Sequence, residues 1–406
     1  MRIVILTNEY PPYIYGGAGV HVEYLTRELA HIEEGHHTVQ VLSFGDQQVE
    51  EGRLRVRGVQ PDYAVPFHQP PHKKVMDTLL RNLFMAGLLD EVDVVHCHTW
   101  YTHLAGCLVK QFSGAALVLS THSLEPHRPW KAEQLGTGYQ VSSWIERTAY
   151  ENADGVIAVS ESMKEDVHNL YGVPHEKIRV IHNGIDLHQY CSTPNPAVLA
   201  RYQIDPDRPF ILFVGRITRQ KGIIHLVNAI KHIQPGVQVV LCAGAPDTPE
   251  IDREMTQKVE QARCESANPI IWINQILPKD EIISMYTHAS LFVCPSVYEP
   301  FGIINLEAMA CGTPVVASAV GGIREVVVHD KTGLLVPFEP LGVNDFEPRD
   351  PGQFAQDLAE AINSLLADPE RLVDMGARSR ERVEHFFSWT SIARWTYDFY
   401  WDLIQA

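Results

Sequence analysis

Short apolar, β-branched runs recur along this chain, each followed by an amphipathic stretch of helical length, and the pattern stops once and then restarts. Strands apolar throughout are buried on both faces, so their alternation with helices predicts parallel α/β sheets covered on each side. In the first half the runs are residues 2–7, 38–43, 92–97, 116–121, 155–159 and 178–181, with helices expected over 20–31, 101–111, 142–152 and 161–170. Between His182 and Pro209 the chain carries Pro194, Pro196, Pro206 and Pro209 and no long apolar run, which predicts a linker with at most a short helix. Strands resume at 210–214, 237–242, 270–273, 291–293 and 314–317, and everything after Asp350 has helical character. The expectation is two doubly wound, Rossmann-like lobes, 1–190 and 210–388, joined by 191–209. The aromatic-rich segment 389–406 is expected to form a terminal helix, packed on its own lobe or back across the first. In doubly wound sheets ligands bind beyond the carboxyl ends of the strands, so facing lobes would make the cleft between them the site.

A length of 406 residues exceeds what one hydrophobic core serves, which agrees with two domains. Apolar residues are 45% and charged residues 20%, a balance that excludes a disordered or collagen-like chain. The 33 basic against 50 acidic residues leave a net charge of −17, which repels nucleic acid and anionic lipid in the absence of a basic patch. A small anion would have to be held by a few cations and helix ends. The seven cysteines (Cys97, Cys107, Cys191, Cys242, Cys264, Cys294, Cys311) are scattered and never spaced as C-x-x-C, which argues for reduced thiols. The opening MRIVILTNEYPP is too short an apolar run for a signal peptide, and no later run reaches the length of a membrane span. A cytoplasmic location follows as the expectation.

Three segments stand at strand ends with residues suited to an anion or a sugar. The loop NEYPPYIYGGAG runs into a helix, and Gly16, Gly17 and Gly19 let backbone N–H groups approach a negative group, although such a loop can also be only a tight turn. In GRITRQKG, residues 215–222, Arg216 can fork onto phosphate oxygens and Lys221 adds a point charge, with a solvated surface pair as the alternative. In PSVYEPFGIINLEAMACG, Pro300 holds Glu299 in an extended loop while Glu307 lies about one turn into a helix starting near Gly302. The N–H groups of Gly302, Ile303 and Ile304 would then be free for a diphosphate, and the two carboxylates would suit sugar hydroxyls. Either glutamate could instead serve only the helix dipole.

Histidines cluster in HCHTWYTHLAG and STHSLEPHRPW. His96 and His98 are expected to alternate in direction along a strand, which would keep one metal from readily taking both. His122 follows the strand 116–121 and can donate to a substrate hydroxyl or serve only the fold. The one D-x-D, Asp205–Pro206–Asp207, reads as a turn, so no metal ligand set is expected. No G-x-S-x-G elbow, Walker loop or Cys–His nucleophile signature is present.

Together the GGAG loop, the Arg216/Lys221 pair and Glu299 with Glu307 resemble the family-4 retaining glycosyltransferases of GT-B fold, over nearly the whole chain. The longer strings EYPPYIYGGAGVHV, VVHCHTWYTHLAG and THSLEPHRPWKAEQLGTGYQVSSWIERTAYENADGVIAVS are similar to the actinobacterial-type glycogen synthases, a group that includes maltose-1-phosphate synthases. The resemblance implies ADP-glucose as donor, no cofactor, and α-1,4 glucosyl transfer to an α-glucan or a glucose- or maltose-phosphate acceptor, within glycogen biosynthesis. It also implies roles. Arg216 and Lys221 hold the leaving diphosphate, Glu299 the glucose hydroxyls and Glu307 the ribose. The backbone of Gly17 meets the diphosphate, that of Phe301, Gly302 and Ile303 the sugar, and His122 the glucose. The mechanism implied is same-face attack with the leaving phosphate as base. The chain departs from the longer bacterial glycogen synthases in carrying Tyr-Gly-Gly-Ala-Gly where they have K-T-G-G-L.

The expected partners are a nucleotide sugar and a carbohydrate acceptor, with no nucleic acid, no membrane insertion and a homodimer as a possible assembly. Two other readings keep the fold: a UDP-glucose-dependent enzyme of sucrose-type or exopolysaccharide synthesis, and a non-catalytic sugar-nucleotide sensor. A glycoside hydrolase also uses two carboxylates, but Glu299 and Glu307 flank one helix start instead of opposing each other across a sugar.

Overall fold

The computed structural model describes residues 1–32, 36–62, 70–89, 91–128, 136, 138–342 and 345–405. Residues 129–135 and 137 of the long string beginning THSLEPHRPW lie outside the described residues. The chain divides into two compact units, Met1–Gly184 with Trp389–Ala406, and Ile185–Ser388.

The first unit carries β1 (Arg2–Thr7), β2 (Thr38–Phe44), β3 (Gln48–Glu51), β4 (Leu54–Val59), β5 (Val94–His98), β6 (Ala116–Thr121), β7 (Gly155–Ala158) and β8 (Ile178–Val180). They form one sheet in the order β3-β4-β2-β1-β5-β6-β7-β8, parallel except for the β3–β4 pair. The register runs Ile3↔Val39 on one side of β1 and Ile3↔Val94 on the other. Ile3, Ile5 and Leu6 are buried, as a strand apolar on both faces requires. From β1 the chain moves outward to β2 and β4 and then returns to the other flank at β5. The loops after β1 and β5 therefore part at a topological switch point, where such sheets open a ligand site.

The helix Trp389–Gln405 closes this unit. Ile392, Tyr397, Phe399 and Tyr400 join the core of Ile3, Ile5, Leu25 and Leu29, and Trp389 stacks on Tyr24 with ring centroids 5.5 Å apart. The terminal helix thus lies on the first sheet, one of the two placements its aromatic content had left open. Glycine makes this packing feasible: a Cβ at Gly184 would stand 2.6 Å from the Trp389 ring, and one at Gly155 would stand 2.6 Å from Phe399.

The second unit holds β9 (Phe210–Arg216), β10 (Gln238–Gly244), β11 (Ile270–Ile273), β12 (Leu291–Cys294), β13 (Val315–Ser318) and β14 (Gly333–Val336), all parallel, in the order β11-β10-β9-β12-β13-β14. Its switch point lies between β9 and β12, the strands that precede GRITRQKG and PSVYEPFG. A hairpin of β15 (Pro340–Gly342) and β16 (Asp345–Pro348) follows. The proline-rich stretch after His182 contains the short helix Pro196–Arg201, and it is tied into this unit by Thr193 N–H to Thr287 Oγ1 at 2.9 Å and Asp205 N–H to Gln238 Oε1 at 2.9 Å.

Five strands escape the sequence reading. β4 buries Leu54, Val56 and Val59 but exposes Arg55 and Arg57, so it has one apolar face and no continuous apolar run. β3 beside it is a four-residue edge strand with little buried surface, and β14–β16 have at most four residues each. Among the described residues no helix is long and apolar enough to cross a membrane.

Candidate active site

In the second unit, β9 ends at Arg216 and the helix Ile223–Ala229 begins after Gly222. Gly222 has φ +60°, and a Cβ there would lie 2.0 Å from the Pro295 carbonyl oxygen, so only glycine lets this turn press against the loop after β12. The same contact is fixed by Val297 N–H to Gln220 O at 3.0 Å. The two loops the sequence singled out are thereby bonded to each other. Lys221 Nζ donates to Glu299 Oε2 at 2.7 Å, and Ser296 Oγ donates to the same oxygen at 3.2 Å. Burial works against the Lys221 ammonium, but the Glu299 carboxylate outweighs it and holds the pKa above the ordinary lysine value. Arg216 pairs with Asp247, Nη1 to Oδ1 at 3.1 Å.

Glu299 also shapes the backbone around it. Its carbonyl accepts from Gly322 N–H at 3.0 Å, and a Cβ at Gly321 would stand 2.1 Å from that oxygen. The helix Ile303–Ala310 starts at Gly302, held at φ +95° with its missing Cβ facing Glu299 Cγ and Asn305 Nδ2. Phe301 is buried and packs edge-on against Phe387 at 5.9 Å, which anchors the loop, while Ile303 at the helix start is partly exposed. Glu307, one turn in, accepts from Tyr190 OH at 3.1 Å and from Tyr286 OH at 3.0 Å. Burial pushes its carboxyl above the usual range, partly offset by those two hydroxyls. The structure thus brings Lys221, Glu299 and Gly302 together directly, and it shows what sequence reasoning missed: Ser296, Tyr190, Tyr286 and Asp247 as the groups that hold them.

In the first unit, the GGAG loop is internally bonded. Glu9 Oε2 accepts from Tyr15 N–H and Gly16 N–H, both at 2.8 Å. A Cβ at Gly19 would meet Glu9 at 2.9 Å, so this glycine serves the packing of Glu9, whereas the space at Gly16 is open. Gly17 is the first residue of its helix. Beside it, Thr99 is held at φ +65°, a conformation that costs a non-glycine residue about 1–3 kcal/mol, with Oγ1 bonded to Asn8 Oδ1 at 2.8 Å across the switch point.

His122 follows β6, and its Nε2 lies 2.9 Å from His98 Nδ1. His21 Nδ1 meets Asn183 Oδ1 at 2.6 Å. Burial, with the neighbouring imidazoles, depresses His98 and His122 well below the ordinary value, and burial lowers His21 to about 4. All three rings are therefore neutral at neutral pH. Their ring nitrogens lie within 4.8 Å of one another, a convergence that spacing did not reveal because His21 comes from a different element. His96 is bonded to Tyr400 OH at 2.6 Å and Ser120 Oγ at 2.8 Å, and its ring centroid lies 4.2 Å from that of His98, so the two do not alternate in direction as expected: residues two apart on a strand share a face.

Residues 15–189 match the family described as Glycosyltransferase Family 4, and residues 196–345 match Glycosyl transferases group 1. The chain is 46% identical to the alpha-maltose-1-phosphate synthase of Mycolicibacterium smegmatis, over 98% of this chain and 99% of that protein. It is 28% identical to a glycogen synthase of Mycobacterium tuberculosis, over 98% and 94%. The structure of sucrose-phosphate synthase from Thermosynechococcus elongatus superposes with a TM-score of 0.76 and 26% identity, covering 100% of both chains. With two Rossmann-like sheets of the GT-B kind and relatives matched along its whole length, this chain belongs to glycosyltransferase family 4, in the group of the maltose-1-phosphate and glycogen synthases.

Proposed function

We propose that this glycosyltransferase moves glucose from ADP-glucose to the 4-hydroxyl of a glucosyl acceptor, a sugar phosphate or an α-glucan, with the α configuration retained. The observation that carries the reading is the 46% identity, end to end, to a protein named alpha-maltose-1-phosphate synthase. A product of that name forms when glucose is joined α-1,4 to glucose 1-phosphate.

The reading assigns the nucleotide sugar to the second unit and the acceptor to the first. Arg216 and Lys221 meet the diphosphate, whose negative charge grows as the C1–O bond breaks. Preformed donors of this kind are worth several kcal/mol in a dry site, and the reading routes no step through a metal ion. Glu299, with the backbone of Phe301, Gly302 and Ile303, binds glucose hydroxyls, and Glu307 binds the ribose. In the first unit the Gly17 N–H is offered to a phosphate oxygen and His122 to a sugar hydroxyl. The acceptor 4-hydroxyl attacks C1 on the face the diphosphate leaves, and its proton passes to the departing phosphate oxygen. No protein nucleophile is required. A cytoplasmic setting goes with the seven free thiols and an ADP-glucose donor.

The test is a panel of ADP-glucose and UDP-glucose against glucose 1-phosphate, maltose and glycogen, with nucleotide release, product mass and linkage measured. ADP release with an α-1,4 disaccharide phosphate is the expected result. Ready UDP release with little ADP would move the protein to the UDP-glucose reading, and tight donor binding with no turnover would make it a sensor.

A further inference from the structure

A phosphorylated acceptor presents a dianion to a protein of net charge −17, so a cation must meet it locally. In the first unit, the loops leaving the carboxyl ends of the parallel strands are where a ligand is received. Among the described residues, those loops contain one lysine or arginine, Arg128, on the segment after β6. The loops after β1, β2, β4, β5, β7 and β8 contain none in their described residues.

Arg128 is held in place yet underused. Its backbone N–H closes the 3-10 turn Glu125–His127 by donating to Glu125 O at 2.9 Å. Its Nη1 donates to Ser123 Oγ at 3.1 Å, and Ser123 is the residue next to His122. Its Nε is buried with no hydrogen-bond partner, and no carboxylate among the described residues lies within ion-pair distance. A guanidinium has five N–H donors in a fixed fork, and a buried one without a partner is costly. The nearby acids are hydrogen-bonded to other groups. Glu125 Oε2 accepts from Ser142 Oγ at 2.7 Å, and Glu146 is bonded by Glu125 N–H at 2.8 Å and by Tyr171 OH. Burial, with the Glu125 charge adding to it, raises the Glu146 carboxyl, and Arg128 is among the groups that draw it back down through space, without an ion pair between them.

We infer that Arg128, aligned by the Ser123 hydroxyl, is the seat for the phosphate monoester of the acceptor. The inference rests on the acceptor reading given above and deepens it by naming the residue that selects a sugar phosphate. A planar fork matches two phosphate oxygens, which lysine cannot reproduce. The role is binding and orientation, and no bond of the reaction is made or broken at Arg128.

The experiment compares the wild-type enzyme with Arg128→Ala, Arg128→Lys and Ser123→Ala, using glucose 1-phosphate as acceptor and ADP-glucose as donor. For Arg128→Ala the KM for glucose 1-phosphate rises roughly 10- to 100-fold, the range for losing a charge-assisted bond, while the KM for ADP-glucose moves less than about 3-fold. Arg128→Lys and Ser123→Ala give smaller rises in the same constant. A KM for glucose 1-phosphate within about 3-fold of wild type in Arg128→Ala overturns the inference, as does an equal rise in both KM values. If Arg128→Ala fails to fold, Arg128→Lys decides, an unchanged KM being the negative result. A wild-type enzyme that transfers to glycogen or maltose but never to glucose 1-phosphate refutes the acceptor reading itself, and the inference falls with it.

Discussion

Lys221 Nζ and Glu299 Oε2 stand 2.7 Å apart, although 78 positions separate them, and their side chains are only 22% and 8% exposed. The pair joins the turn after β9 to the loop after β12 at the switch point of the second sheet. Each group is offset in charge by the other, and Ser296 holds the shared oxygen. Removing one partner leaves the other partly buried and uncompensated, whereas removing both does not.

Lys221→Ala is therefore expected to lower nucleotide release from the donor by about 10²- to 10³-fold, the effect of deleting one preorganised charge aimed at a leaving group. The double variant Lys221→Ala/Glu299→Ala should be more stable than the sum of the single effects, by about 0.5–3 kcal/mol. Chemical denaturation of the four proteins measures this. Near-normal turnover in Lys221→Ala would contradict its assignment to the diphosphate.

Glu307 lies between Tyr190 and Tyr286 with its pKa raised, chiefly by burial. A carboxyl whose folded pKa exceeds its unfolded value costs stability as pH rises past the unfolded value, because the native state must then ionise it. Glu307→Gln removes that cost. It should melt at or above the wild-type temperature at pH 7.5, while the KM for the nucleotide sugar rises by about tenfold from the lost charged bonds to the ribose. A collapse in melting temperature would make the carboxylate a structural element.

Glu146 supplies the sharpest pH dependence. Burial, with the Glu125 charge adding to it, raises this carboxyl to about 8, so between roughly pH 4.5 and 8 the native protein binds a proton that the unfolded chain releases. Stability should fall as pH increases across that window. Glu146→Gln keeps an acceptor for Glu125 N–H and Tyr171 OH and loses the titration, so its melting temperature should vary less between pH 6 and 9. Thermal denaturation across that range tests it, and parallel wild-type and variant curves would be the contrary outcome.

Gly222→Ala is expected to damage the second unit. The residue would need φ +60° with its Cβ 2.0 Å from Pro295 O. Strain and displacement together should cost about 2 kcal/mol or more and lower the melting temperature by roughly 4–8 °C. Transfer activity should fall as well, because the same turn presents Lys221. An unchanged melting curve would show that the two loops separate freely.

Much of this protein is legible in its residues. Continuous apolar runs marked eleven of the fourteen strands in the two main sheets, because a strand buried on both faces needs no partner to be recognised. β4 was lost because its apolar residues alternate with arginines, and β3 and β14 because they are too short to stand out. In the candidate site, Arg216, Lys221, Glu299, Gly302, Glu307 and His122 stand out in the sequence by their positions just beyond strands and at helix starts, since strand ends are where such sheets receive ligands. Their immediate neighbours do not. Tyr190 reaches Glu307 across 117 positions, and His96 meets Tyr400 across 304. Nothing about Tyr190 or Tyr400 in sequence distinguishes it from a core aromatic.

The sequence by itself determined the α/β class, the two sheets, the break between them and the residue types at the strand ends, because periodicity, glycine and proline act over a few neighbouring residues. Only the tertiary structure decided which group holds which. It bonded Lys221 to Glu299, gave Glu9 the N–H groups of the GGAG loop, brought His21 beside His98 and His122, and left Arg128 Nε without a partner. Those choices depend on strand order and register, which bring distant segments within 3 Å of each other, and on burial, which makes every unpaired polar atom count.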